Sequence, residues 1–369
     1  MYPALAVAGR FSVAPDEVLF VGTPNGLEAR LVPEAGVAFR GLRAAGFDRA
    51  RPWTLLTSTA TLARSTLTAM RWLREFRPDV VIGFGGYVSI PVGLAAVLRR
   101  VPLVLHEQNS VPGMANKFLS RWAIKVGATC PESARLLAHP ERVEVTGNPV
   151  RPAVLFAEKT AGRAALVLPA EATILLVFGG SRGARHLNSA LVGLRDRLLD
   201  GEGVQIVHVT GAAELATVRS ALDAVGGDAG GRWRVVDYIS DMGSALAASD
   251  LVVARAGATS IAEITALGLP SVLVPYPYAT DDHQTKNAAS LVEHGAAELV
   301  ADADLDDERF GDIVVGLLSD PSRRATMAAA SRALGRPDAA VRVARLARDA
   351  AGLAAADRDS DLTTGEPVA

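Results

Sequence analysis

The chain has 369 residues, of which 49% are apolar and 21% charged; this is long enough for two domains with separate cores and excludes a disordered or fibrous polypeptide. Its one cysteine, Cys130, excludes an internal disulfide framework and argues against a thiolate metal site, as expected of a reducing compartment. The net charge of −2 hides an asymmetry: residues 1–150 carry 17 Lys+Arg against 11 Asp+Glu, and the remainder 21 against 29, so the basic first part is suited to an anionic partner or to ordinary solvent.

No apolar run approaches the roughly 18–20 residues of a membrane span, and MYPALAVAGR has no basic segment ahead of its apolar patch, unlike a signal peptide. In chain order, Val18–Gly22 reads as a strand, Gly26–Val32 as a helix and Trp53–Phe76 as a long helix. Asp79–Gly83 is a strand running into Gly85-Gly86-Tyr87-Val88-Ser89 and a helix to Arg99. Pro102–Leu105 is a strand followed by His106-Glu107-Gln108-Asn109, and Val143–Thr146 closes the half at the turn Gly147-Asn148-Pro149. Thr173–Phe178 then leads through Gly179-Gly180-Ser181-Arg182-Gly183-Ala184 into a helix to Leu199. Further strands are expected at Val204–Val209, Trp233–Val236, Leu251–Ala254, Ser271–Val274 and Glu298–Val300, with helices over most of 306–355. Alternating strands and helices predict parallel α/β architecture in two Rossmann-like domains, 1–148 and 149–336. Residues 337–355 are expected as a helix returning to the first domain and 356–369 as a disordered tail.

Asp250–Pro277 is the stretch on which the functional reading turns. A buried strand ends in Arg255-Ala256-Gly257, Thr259 or Ser260 is placed to cap a helix carrying Glu263 in its first turn, and Gly268 and Pro270 end that helix. At the carboxyl end of a parallel strand, free helix amides suit a diphosphate, and a carboxylate one turn in suits ribose hydroxyls. The same residues also fit an ordinary βα unit with a solvated Glu263. The Gly179–Ala184 turn offers further amides for a diphosphate, or is only a tight turn. It is neither G-x-G-x-x-G nor G-x-x-x-x-G-K-[ST], which speaks against hydride transfer and ordinary nucleotide hydrolysis. The polar run His106–Asn109 can hold sugar hydroxyls and supply an acid or base; His106 has no partner at metal-ligand spacing. Arg71, Trp72, Arg74 and Trp122 combine cations with amphipathic rings, as in a face lying on anionic lipid, although a helical stripe more often belongs to a core.

Taken together, GGYVS at Gly85, HEQN at His106, GNPVR at Gly147, GGSRGAR at Gly179, the Ile239–Met242 stretch, RAGATSIAEI at Arg255 and Asp281-Asp282-His283-Gln284 with Asn287 resemble the peptidoglycan N-acetylglucosaminyltransferases that convert lipid I to lipid II. The match spans nearly the whole chain, its motifs in order. It implies a GT-B-type fold, two domains facing across a cleft, and inverting transfer without metal or cofactor. UDP-N-acetylglucosamine and the lipid-linked acceptor are the implied partners, nucleic acid is not, and the implied place is peripheral, on the cytoplasmic face of the membrane. By position the resemblance sets Ile239 and Arg255 near uracil and Glu263 at the ribose. Ser181 and the amides of Ala258, Thr259 and Ser260 fall at the diphosphate, and Asn109, Arg151 and Gln284 at the sugar.

The sequence departs from the family at His283, where glutamine is usual. It also lacks the family's first strand and its Gly-Gly-Thr-Gly-Gly-His loop, which would stand immediately before Tyr2. The expectation is therefore that Met1 is not the natural start, that the strands at Val18 and Asp79 flank a gap, and that Glu107 is the first candidate for the base in the chain as written. A UDP-N-acetylglucosamine 2-epimerase and a UDP-sugar-binding protein without turnover are the alternative readings.

Overall fold

The computed structural model describes residues 1–11, 17–43, 54–180, 184–201 and 203–353; the expected tail at 356–369 lies outside them. The chain divides into two compact units, Met1–Arg151 together with the chain from Asp338 onward, and Pro152–Pro337.

In the first unit, β1 (Leu19–Gly22) pairs in parallel with β2 (Ala38–Gly41), and β3 (Val81–Gly83), β4 (Leu103–Glu107), β5 (Lys125–Ala128) and β6 (Val143–Val145) form a second parallel sheet in that order. β2 and β5 were not legible in the sequence, because Ala-Phe-Arg-Gly and Lys-Val-Gly-Ala are short and lack an apolar run. Among the described residues no ladder joins β1 to β3, although Val21 and Val81 pack on the same cluster of Leu42, Ala69, Leu73, Ala95 and Ala96. The long helix spans Thr54–Phe76. The helix Ala339–Ala350 buries Ala339, Ala340, Val343, Ala344 and Ala347, an i, i+4, i+8 stripe that needs an apolar partner. That partner is the Tyr2–Ala8 helix, through Ala6 and Val7.

In the second unit β7 (Thr173–Phe178), β8 (Val204–Val209), β9 (Trp233–Val236), β10 (Leu251–Ala254), β11 (Ser271–Leu273) and β12 (Ala297–Leu299) make one parallel sheet, ordered β12-β11-β10-β7-β8-β9. Read from β7 this is the doubly wound order 3-2-1-4-5-6, and the chain reverses direction across the sheet between β7 and β10. All four β10 residues are fully buried, because a central parallel strand is covered by helices on both faces; each such Leu or Val contributes roughly 1.5–3 kcal/mol by burial. The following helix, Ala258–Leu267, stops at Gly268, which is left-handed (φ 65°) and whose Cβ would meet the Arg332 side chain at 2.6 Å. Glycine satisfies both demands at that point.

Candidate functional site

In an open parallel sheet the ligand crevice lies at the carboxyl ends of the two strands where the winding reverses. Here those ends are Phe178, leading to Gly179-Gly180, and Ala254, leading to Arg255-Ala256-Gly257. Gly180 is left-handed (φ 78°), which turns the chain out of β7. Ser181 of this loop lies outside the described residues. Past β10, Gly257 is the helix N-cap and makes no side-chain cap, so Thr259 and Ser260 are first-turn residues and not the caps expected from sequence. The amides of Ala258, Thr259 and Ser260 are thereby the helix's first three, which have no acceptor within the helix, and their residues are half-buried. Glu263 lies one turn deeper than expected, and is 4% exposed.

Arg255 departs from its expected place as a direct donor contact. Its guanidinium is turned inward, donating to the carbonyls of Val274 (3.3 Å) and Pro275 (3.0 Å) past β11 and lying 2.5 Å from Asp302 Oδ1. Asp302, in the turn after β12, also meets His186 Nδ1 at 3.0 Å, while His186 Nε2 meets Asp306 at 3.1 Å. Burial raises the Asp302 pKa, but the hydrogen bonds from His186 and Arg255 outweigh it and hold the carboxyl below its usual range. Sequence reading missed His186, Asp302 and Asp306, which stand 116 and 120 residues apart and carry no local pattern.

Ile239 is half-buried on the loop between β9 and the Met242–Ala248 helix, whose cap Asp241 accepts from Ser244 N at 3.0 Å. Gln284 accepts the Tyr276 N–H through Oε1 at 2.9 Å, which ties it to the segment after β11 and leaves its amide NH2 as the end that can donate elsewhere. Behind the β8 end, buried His208 bonds Asn188 Oδ1 at 3.0 Å, and Asn188 donates to the Thr210 carbonyl.

In the first unit, His106 and Glu107 belong to β4 and do not form a polar loop after it. His106 is fully buried, with Nε2 2.9 Å from the Gly147 carbonyl and Nδ1 3.1 Å from Gln108 Nε2; burial lowers its pKa to about 4. Glu107 is 2% exposed. Its Oε1 accepts from Asn109 N (3.0 Å) and Asn109 Nδ2 (3.4 Å), its Oε2 from Gly113 N (3.0 Å) and Asn116 Nδ2 (2.8 Å). A carboxylate so enclosed fits a brace for the 108–113 loop better than the proton acceptor expected from sequence. Asn109 is held by that brace, and Arg151 stands 4.3 Å over the Tyr2 ring.

The lipid-facing group divides. Trp72 is half-buried and packs against the cluster of Leu42, Ala69 and Leu73 with Arg40 over its ring at 5.5 Å, and Arg71 pairs with Glu75; Arg74 is exposed. Trp122 is 41% exposed, at 5.3 Å from Phe118, whose ring lies under Arg121, with Leu98, Met114 and Ile124 also exposed. Among the described residues no group of three His, Cys, Asp or Glu side chains is arranged to hold a metal ion, and no helix is long and apolar enough to cross a membrane.

Two family models match in tandem, the glycosyltransferase family 28 N-terminal domain over residues 1–128 and its C-terminal domain over 174–343. The chain belongs to glycosyltransferase family 28. Among its relatives are the UDP-N-acetylglucosamine--N-acetylmuramyl-(pentapeptide) pyrophosphoryl-undecaprenol N-acetylglucosamine transferases of Desulforudis audaxviator, 43% identical over 92% of both chains, and of Halothermothrix orenii, 39% identical over 95% of this chain and 96% of that one. The crystal structure of Acinetobacter baumannii MurG is similar with a TM-score of 0.73 at 28% identity, over 94% of this chain and 95% of that one. The family 28 fold is of GT-B type, with two Rossmann-like units. A UDP-GlcNAc 2-epimerase from Neisseria meningitidis shares the fold alone, with a TM-score of 0.63 at 15% identity over 93% of this chain and 96% of that one.

Proposed function

We propose that this family 28 enzyme is an N-acetylglucosaminyltransferase that moves N-acetylglucosamine from UDP-N-acetylglucosamine to the 4-hydroxyl of the N-acetylmuramoyl group of an undecaprenyl-pyrophosphoryl-pentapeptide acceptor, lipid I to lipid II. One observation carries the reading: the β7/β10 reversal presents free first-turn amides beside a buried carboxylate, in a chain about 40% identical, nearly end to end, to transferases bearing that name. In the reaction the acceptor O4 bonds to the anomeric carbon as the bond to the UDP β-phosphate oxygen breaks. The O4 proton passes to a general base, and UDP leaves with the bonding pair. Attack on the face opposite the leaving group inverts the anomeric carbon.

In this reading Glu263 accepts from the ribose hydroxyls, the Ala258–Ser260 amides and the Ser181 loop hold the diphosphate, and Ile239 lies beside uracil. Arg255 supports the same site from behind, by fixing the β10 and β11 ends. Gln284, Asn109 and Arg151 are the candidates for the sugar. Amides preorganised at a helix end stabilise the charge that develops on UDP without having to reorient. The face around Trp122, Phe118 and Ile124, ringed by Arg100, Arg121 and Lys125, supports peripheral attachment to anionic lipid on the cytoplasmic side.

The test is transfer from UDP-N-acetylglucosamine to lipid I, with the disaccharide product identified by mass spectrometry. Donor turnover that requires no acceptor and yields a 2-epimer would refute the reading in favour of the epimerase. Donor binding with no turnover under any acceptor would refute it in favour of a binding protein.

A further inference from the structure

His186 is the second residue of the helix Arg185–Gly193, which opens immediately after the glycine turn from β7. Its two ring nitrogens stand 3.0 Å from Asp302 and 3.1 Å from Asp306, each facing a carboxylate oxygen. A neutral imidazole has one N–H and one lone pair, so in this setting it would turn the lone pair on a carboxylate. The imidazolium donates from both nitrogens and satisfies both. Asp302 is the shared member, since its other oxygen faces Arg255 on the loop after β10. One chain of contacts, Arg255–Asp302–His186–Asp306, thus links the first turn of the Arg185 helix to the loop after β10.

We propose that His186, as an imidazolium, is a positioning residue for the donor's diphosphate, holding the first turn of the Arg185 helix to the segment that anchors Arg255. The inference rests on the donor reading given above. Charge supports it. With His186 protonated, the cluster's two carboxylates are balanced by the imidazolium and Arg255; with His186 neutral, it carries one net negative charge on the side of the sheet where the diphosphate binds. Among the described residues, the charged groups around the imidazole are accounted for: Arg185 on the same helix is turned to Glu214 at 3.1 Å, Asp302 and Asp306 face the ring from the segment after β12, and Arg255 stands behind Asp302. The hydrogen bonds that His186 donates to the two aspartates raise its pKa above the ordinary 6.5. The protonated clamp is therefore complete below that ordinary value and is lost as pH rises through the raised one.

The experiment is calorimetric titration of the full chain with UDP-N-acetylglucosamine across neutral to alkaline pH; this donor's diphosphate is a diester and does not titrate there. The dissociation constant of the wild type should rise about fivefold across one step, a typical coupling between linked sites. His186→Gln should bind weakly with no step, and His186→Arg, charged throughout, should bind tightly with no step. Asp306→Asn, at a largely exposed carboxylate (76%), should move the step to lower pH. An identical step in wild type and His186→Gln, or an unmoved step in Asp306→Asn, would overturn the inference while leaving the donor reading intact. Absence of binding by the wild type at every pH would overturn both.

Discussion

Replacing Glu107 by Gln separates a structural brace from a catalytic base. In the wild type, Oε1 accepts from Asn109 N and Nδ2, and Oε2 from Gly113 N and Asn116 Nδ2, all in a site where the carboxylate is 2% exposed. Glutamine has one oxygen. If that oxygen keeps the shorter pair, Gly113 N and Asn116 Nδ2, the new NH2 is directed at the Asn109 N–H. Both Asn109 donors then lose this acceptor; the side-chain Nδ2, at 3.4 Å, can rotate away, but the backbone N–H cannot, which costs about 1–3 kcal/mol, and the two remaining charge-assisted bonds become neutral, at about 1 kcal/mol each. The expected loss is about 3–5 kcal/mol, a large part of the roughly 5–15 kcal/mol that holds a domain. Glu107→Ala, which leaves every donor without its acceptor, should lose more. Urea unfolding followed by tryptophan fluorescence reads the stability, and hydrogen exchange at the Asn109 and Gly113 amides localises it. The reasoning is refuted if Glu107→Gln unfolds like wild type, keeps both amides protected, and loses transfer together with one limb of the pH–rate profile. That result would restore Glu107 as the base.

Three further outcomes are expected. Glu263→Ala should weaken UDP-sugar binding by about 1.5–3 kcal/mol, the range for hydrogen bonds to a charged group, without loss of fold; an unchanged calorimetric affinity would remove Glu263 from the donor site. Trp122→Ala with Arg121→Glu should reduce sedimentation with anionic vesicles, and salt should do the same to the wild type, whereas Arg71→Glu with Arg74→Glu should have the smaller effect; the reverse ranking would move the lipid face to the long helix. His106 and His208 are held neutral by burial, with pKa values lowered from 6.5 to about 4, so the unfolded chain alone takes up their protons over that interval. Stability should be full above pH 6.5 and fall towards pH 4 by on the order of 3 kcal/mol per histidine; a flat denaturation midpoint between those limits would contradict this.

Local sequence was enough to read the strands of the second unit. Thr173–Phe178 and Leu251–Ala254 are β-branched and leucine runs bounded by turn residues, and their periodicity and punctuation are properties of neighbours along the chain. The stop at Gly268 was legible for the same reason. Consecutive motifs likewise carried the family and its donor chemistry, since a strand, a glycine turn and a helix start are one local unit. Side-chain direction was not legible. Arg255 points inward because Asp302, from the segment past β12, and the carbonyls past β11 converge on it. Glu107 is enclosed because the amide groups of Asn109, Gly113 and Asn116 all turn back on it. Trp72 and Trp122 look alike in sequence, yet one is covered by Arg40 from β2 and the other stands exposed beside Phe118. A residue type and its neighbours determine what a side chain can do. Which groups it meets depends on segments a hundred residues away, as His186 and Asp302 do, because hydrogen bonds and burial are settled by distance in space, and only the packed sheet brings those segments together.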